Sequence, residues 1–370
     1  MINILLAILQ STFFWVNTII GIILIEYALH KCRAVIKVDE ERDSKYSAFR
    51  RYDVKHWKRW RLYLAAPFLP ARCILAILHL FVLYIFIRVI NFNMTETNPP
   101  SEFQKWLTVE ISKLIKRSQL LCAGGMIWIT KKYLDVDYKK YLGPDWTPTT
   151  RGPSTIVSNH SCWMDILVGC YSYNFPVFTS KVGIKNWTFI GTLVTYPGYE
   201  ALFLDRAGTK EDREKLVHDI NKMQKERQEQ QRKPLIMYPE GCTTNNTELL
   251  QFRRGAFFGL HSVQPVTLKY YSPYFQPTHD ILDVFSQILL TMCQPYTTAV
   301  TQVLPVFEPN EYFYKHHSQP GEEKWQTYMR VIRQLMADAL GFKLSEQKLE
   351  DKFDYKVALY PKKGSKNKSE

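Results

Sequence analysis

Ser154-Thr155-Ile156-Val157-Ser158-Asn159-His160-Ser161-Cys162-Trp163-Met164-Asp165 is the stretch whose reading sets the fold. Its first five residues have the length and apolar content of a short buried strand. Ser161 then offers an N-cap, and the residues after it open a helix. A strand passing into a helix is the repeating unit of α/β domains. Within the passage lies His-x-x-x-x-Asp. On a regular helix, positions five apart stand about 140° apart around the axis and their side chains do not meet. With Ser161 as N-cap, His160 takes position N′ and Asp165 takes N4, two positions whose side chains touch at a helix start. Asp165 can then hold one imidazole nitrogen and leave the other as a base, a dyad without a protein nucleophile.

Further strands are expected at Pro234–Tyr238, Val263–Tyr270 and Gln302–Phe307, after a Gly/Pro-rich loop from Leu142 to Pro153. Helices lie between them. One starts at Thr209, with Asp212 as its capping partner and Leu216, Val217, Ile220 and Met223 on one face; another runs from about Glu322 to Leu340. The expected fold class is therefore α/β. The tail after Tyr360 is rich in Lys and Ser and reads as disordered.

Ile2 to Ile25 carries no charged residue and covers roughly 36 Å as a helix, enough for a hydrocarbon core of about 30 Å. It lacks a basic start and a small-residue cleavage site, so a retained anchor is expected rather than a signal peptide. A second apolar region, Leu62 to Ile87, is interrupted by Pro67, Pro70 and Arg72 and suits a re-entrant hairpin better than a straight span. Ser101 to Leu121 mixes apolar and basic residues at helical spacing, which fits a surface helix of the domain or of the membrane. The expected organisation is an anchor at 1–27, a basic juxtamembrane segment at 28–61, a membrane-embedded hairpin at 62–91, the main domain at 92–345 and a basic tail at 346–370.

The formal net charge of +13 asks for an anionic partner. Much of the excess lies between Lys31 and Arg61, where eleven Lys/Arg face five Asp/Glu directly after the anchor. That position reads as a segment binding anionic lipid head groups. No zinc finger, RNP-type sequence or heptad-linked basic region is present, so nucleic acid is not an expected partner. Seven scattered cysteines without a C-x-x-C pair read as free thiols. No G-x-S-x-G elbow, H-E-x-x-H, P-loop or EF-hand occurs; neither a metal nor a resident cofactor is expected.

Three further blocks stand downstream. Ala201-Leu202-Phe203-Leu204-Asp205-Arg206 puts an arginine after an apolar run. Met237-Tyr238-Pro239-Glu240-Gly241-Cys242-Thr243-Thr244-Asn245 ends a strand in a turn rich in backbone N–H and hydroxyl groups, where open α/β sheets bind ligands. Val263-Gln264-Pro265-Val266-Thr267 is an apolar strand with an embedded proline. Each alone has a plain alternative: a surface ion pair at Arg206, an ordinary turn at Glu240-Gly241, an edge strand at Pro265.

In this order the four blocks, spread over about Pro144 to Gly341, resemble the glycerolipid acyltransferase superfamily, and most of all its lysophosphatidylcholine acyltransferase branch. Phe252-Arg253-Arg254-Gly255, Leu304-Pro305-Val306-Phe307 and Met336-Ala337-Asp338-Ala339-Leu340-Gly341 support that branch. The resemblance implies a mixed sheet flanked by helices behind N-terminal membrane helices. It implies an enzyme that passes a fatty acyl group from acyl-CoA, a co-substrate, to a lysophospholipid, with membrane lipids around it. His160 would be the base and Asp165 its orienting partner. Arg206, Glu240, Gly241 and Thr243 would hold the phosphate-glycerol part, Glu240 by positioning a donor such as Arg206. The block around Pro265 would line the acyl site. Glu200 and Cys242 depart from the usual glycine and threonine, which bears on head-group choice.

Lysophosphatidic acid or glycerol 3-phosphate are the alternative acceptors. Two other classes compete: a non-catalytic lipid-binding protein on the same scaffold, and a thiol hydrolase using Cys162. The ending Lys366-Asn367-Lys368-Ser369-Glu370 fits a K-x-K-x-x retrieval signal, so the endoplasmic reticulum membrane is the expected location.

Overall fold

The computed structural model describes residues 11–95, 98–173, 176–187, 190–196, 201–204 and 209–361. Its centre is a seven-stranded sheet. In chain order the strands are β1 Met126–Tyr133, β2 Thr155–Ser158, β3 Val177–Lys181, β4 Ala201–Leu204, β5 Leu235–Met237, β6 Val263–Tyr271 and β7 Thr297–Val303. Their spatial order is β1-β7-β6-β2-β5-β3-β4. Every neighbouring pair is parallel except β6 with β7, so the sheet is mixed.

The helices of seven or more residues are α1 Thr12–Lys31, α2 Leu69–Ile90, α3 Glu102–Gly124, α4 Met164–Ser172, α5 Lys210–Gln230, α6 Val284–Met292, α7 Glu311–His317, α8 Lys324–Leu340 and α9 Leu349–Leu359. Alternate residues of β2 serve the two faces of the sheet. Val157 joins Leu235, Ile220 of α5 and Tyr328, Ile332 and Leu335 of α8 on one side, while Ile156 meets Ile236, Val266 and Val303 on the other. α3 and α4 cover the β6–β7 part of that second face through Leu120, Met164, Val168, Leu268 and Ala299.

Local chemistry accounts for the helix ends. Thr209 and Asp212 close the expected capping box of α5, and Ser101 with Gln104 does the same for α3. Gly125, at φ 60°, ends α3 in the left-handed conformation that glycine favours.

Several expectations change. The region 62–91 is not a hairpin: α2 is one continuous helix of 22 residues, about 33 Å long, with Pro70 in its first turn where a missing N–H costs nothing. Arg72 also stays in the helix, because its guanidinium donates to the carbonyls of Cys122 and Met292. α1 and α2 are both long and apolar enough to cross a membrane, with mean hydropathies of 1.7 and 2.6. The basic segment 28–61 is packed against the domain. Cys32, Val35, Ala48, Phe49 and Trp57 are buried with Ile25, Leu29, Phe275, Leu290 and Tyr355. Arg51 is buried and ion-paired to Asp53 (2.6 Å) and Asp280 (3.0 Å). Likewise 346–370 is not all tail, since α9 inserts Tyr355 and Leu359 into the same cluster.

The last strand begins five residues before Gln302, at Thr297. Thr297, Ala299, Thr301 and Val303 point inward in strict alternation, and the buried threonines disguise the apolar period. β1, β3 and β4 are strands the sequence reading missed.

Candidate active site

The site forms where β2 and β5 end. Asn159 continues β2 by pairing its side chain with β6: Oδ1 accepts from the Leu268 N–H (2.8 Å) and Nδ2 donates to the Leu268 carbonyl (2.9 Å). The chain then turns, and the turn is held from two sides. The His160 N–H donates to Glu240 Oε1 at 2.9 Å, the Thr244 N–H to the His160 carbonyl at 3.0 Å, and the His279 N–H to the Ser161 carbonyl at 2.7 Å.

His160 Nδ1 lies 2.7 Å from Asp165 Oδ2. A carboxylate only accepts, so Nδ1 carries a proton, and in the neutral imidazole Nε2 is the nitrogen with the lone pair. The meeting comes about differently from the expected cap. α4 starts at Met164 with Trp163 as N-cap, so Ser161 is not the cap and Asp165 sits at N2, not N4. The carboxylate instead gathers the turn before the helix: Oδ2 also accepts from the Ser161 N–H (2.6 Å) and the Cys162 N–H (3.0 Å). Among the described residues Ser161 Oγ has no partner.

On the other oxygen, Oδ1 accepts from the Tyr270 hydroxyl at 2.7 Å. The Asp165 side chain is fully buried while that of His160 is 22% exposed. Tyr238 stacks on the imidazole, centroids 4.2 Å apart and planes at 21°.

Cys162 is buried, and burial followed by the Asp165 charge pushes its thiol well above the usual range. A protonated, inaccessible thiol is no nucleophile.

Glu240 is also buried, and burial pushes its carboxyl up to about 8 against the two N–H groups that face it. Its second oxygen accepts from the Leu250 N–H at 3.1 Å. Both oxygens are thus engaged with backbone N–H groups. Arg206, two residues beyond β4, and Glu200 lie outside the described residues.

Gly241 has φ 74°, and a Cβ there would sit 2.8 Å from Arg253 Nε. Glycine is needed for both the turn and the close approach of that guanidinium. Thr243 donates through its hydroxyl to the His279 carbonyl. Lys352 of α9 crosses over the same turn, donating to the Thr243 carbonyl and hydroxyl (2.8 Å each) and to the His279 carbonyl (3.2 Å). Burial first, and Lys352 second, hold His279 down to about 4, so it is a neutral imidazole. Pro265 stands apart. It is buried on a central strand, opposite Val157, and its carbonyl accepts from the Leu304 N–H; it is not on an edge strand.

The structure therefore gathers His160, Asp165, Glu240, Gly241 and Thr243 beyond the C-terminal ends of β2 and β5 and leaves Pro265 inside the sheet. Tyr238, Tyr270, His279 and Lys352 were missed. Tyr270 had a signal, since it shares the face of Leu268 in the β6 alternation; His279 and Lys352 had none.

Residues 140–269 match the family model described as Acyltransferase. Over 253 residues the chain is 30% identical to "Lysophospholipid acyltransferase LPEAT1" of Arabidopsis thaliana, covering 65% of this chain and 61% of that protein. It is 28% identical over 201 residues to "Lysophosphatidylcholine acyltransferase" of Drosophila melanogaster, covering 54% and 35%. With human "Lysophosphatidylcholine acyltransferase 1" it shares 29% over 197 residues, covering 52% and 34%. The chain thus spans between about a third and three fifths of the length of these relatives.

Proposed function

We propose, from the match of residues 140–269 to the Acyltransferase family model, that the chain transfers a fatty acyl group from acyl-CoA to the free hydroxyl of a lysophospholipid. His160 Nε2 removes the acceptor's hydroxyl proton as the oxygen attacks the thioester carbonyl. The tetrahedral adduct collapses with loss of the CoA thiolate, which takes up the proton. An ester has formed, a thioester has broken, and no covalent enzyme intermediate is needed. Asp165 fixes the tautomer and stabilises the imidazolium formed midway. Glu240 holds the loop that aims His160, while Arg206 and the turn from Gly241 to Thr243 receive the acceptor's phosphate.

One contrast carries this reading: a partly exposed imidazole stands on a buried carboxylate, while the Cys162 thiol beside them is sealed and protonated. The relatives' names supply the acceptor class. The two long apolar helices α1 and α2 support a membrane-bound enzyme. Radiolabelled acyl-CoA and a panel of lysolipids, with His160→Ala and Cys162→Ala, test the proposal. Acyl transfer should vanish in the first variant and persist in the second. Transfer surviving in His160→Ala overturns it, and activity lost only in Cys162→Ala selects a thiol hydrolase.

A further inference from the structure

Asp165 has two oxygens with unequal support. Oδ2 faces His160 Nδ1 and two backbone N–H groups within 3.0 Å. Oδ1 has only the Tyr270 hydroxyl at 2.7 Å and the weak Cys162 thiol at 3.6 Å. We propose that Tyr270 is a positioning residue for the reaction, clamping Asp165 so that the His160–Asp165 pair keeps one orientation throughout the proton transfer. The inference rests on the acyl-transfer reading above.

The physical case is one of torsion and charge. A carboxylate turns about its Cβ–Cγ bond, and that turn would carry Oδ2 out of line with the imidazole N–H. A strong donor on Oδ1 fixes the second point of the plane. Tyr270 is fit for this because it cannot move: its ring is buried among Leu120, Met126, Met164, Val168, Leu268 and Ala299, anchored on β6. It also cannot give its proton away, since burial and the Asp165 charge push the phenol well above its usual range. It therefore donates in every state of the cycle. The same strand carries Leu268, whose backbone grips Asn159 immediately before His160. β6 thus holds the dyad at both ends, the base through its neighbour and the acid through its carboxylate.

The test is Tyr270→Phe, which deletes one oxygen and leaves the ring. The titratable groups facing the dyad are Cys162 on the turn, Tyr238 and Glu240 after β5, Tyr270 on β6 and His279, and none but Tyr270 is altered. We expect kcat to fall about tenfold with KM for both substrates within about twofold. The acid limb of the pH–rate profile should move to higher pH, because a carboxylate deprived of a donor holds the His160 proton more tightly.

Tyr328→Phe serves as the control. It removes a hydroxyl donating to the His261 and Phe307 carbonyls elsewhere in the core, and should lower Tm without moving the limb. A substrate-free readout runs alongside: the rate at which diethyl pyrocarbonate modifies His160, followed by peptide mass against pH, should show the same shift in Tyr270→Phe. If the wild-type chain transfers no acyl group but the modification midpoint still moves, the clamp stands and the acyl-transfer reading falls. If wild type is active and Tyr270→Phe keeps its kcat, its limb and its modification profile, the clamp is wrong. A kcat loss matched by lost folded protein, with both profiles unmoved, also overturns it.

Discussion

His160 depends on groups that its own sequence neighbourhood does not reveal. The His-x-x-x-x-Asp spacing was enough to say that the two side chains meet at a helix start. It was not enough to say how, because the acidic side chain gathers the N–H groups itself and the helix begins two residues later than a serine cap would require. His160→Ala should lower kcat by about 10²–10⁴. Asp165→Asn should cost about a hundredfold or more, since an amide cannot accept from all three N–H groups on Oδ2; steady-state assays in detergent decide both. Glu240 gives a stability prediction. Its folded carboxyl titrates near 8 against an ordinary value of 4.5. A raised carboxyl pKa contributes stability that is complete below about 4.5 and is lost as pH rises through about 8. Wild-type Tm should therefore decline more steeply than that of Glu240→Gln between pH 5 and pH 8.5. Equal slopes would show that Glu240 is ionised in the fold.

Elements were legible where their residues repeat with a clear period. α5 announced itself by its cap and apolar face, α8 by its apolar face, and β2, β5 and β6 by their apolar runs. β7 was misplaced because half its inward residues are threonines. The packing of the segment between α1 and α2 was not legible for a different reason. Its charge was counted correctly, but the partners of that charge are distant: Asp280 lies 229 positions from Arg51. Burial makes this arginine structural. Breaking the pair by Arg51→Met strands Asp53 and Asp280 without their cation and should cost about 3–5 kcal/mol. Thermal unfolding measures the loss, and limited proteolysis should show new cleavage between residues 32 and 58. Unchanged proteolysis would mean that the apolar contacts of Ala48, Phe49 and Trp57 hold the segment alone.

At the scale of the whole molecule, the first helix belongs to two environments. Phe13, Trp15, Ile19 and Ile23 are exposed, while Ile25, Ala28 and Leu29 are buried in the domain. Deleting residues 1–31 should therefore not release a soluble enzyme. Ile25 and Leu29 alone remove about 3–6 kcal/mol of burial, and size-exclusion chromatography should find aggregate. A monodisperse, active truncation would refute the shared packing.

The outermost pair of the sheet has a consequence in time. β1 is complete at Tyr133, but its partner β7 starts at Thr297, 164 positions later. At synthesis rates of about 5–20 residues per second, the wait is on the order of ten seconds or more. For that interval Ile127, Trp128 and Ile129 offer an unpaired edge to any other nascent strand. Newly made chains should be most vulnerable to aggregation and to chaperone capture in the window before residue 303 emerges, and an arrest placed there should yield a species that finished protein never forms.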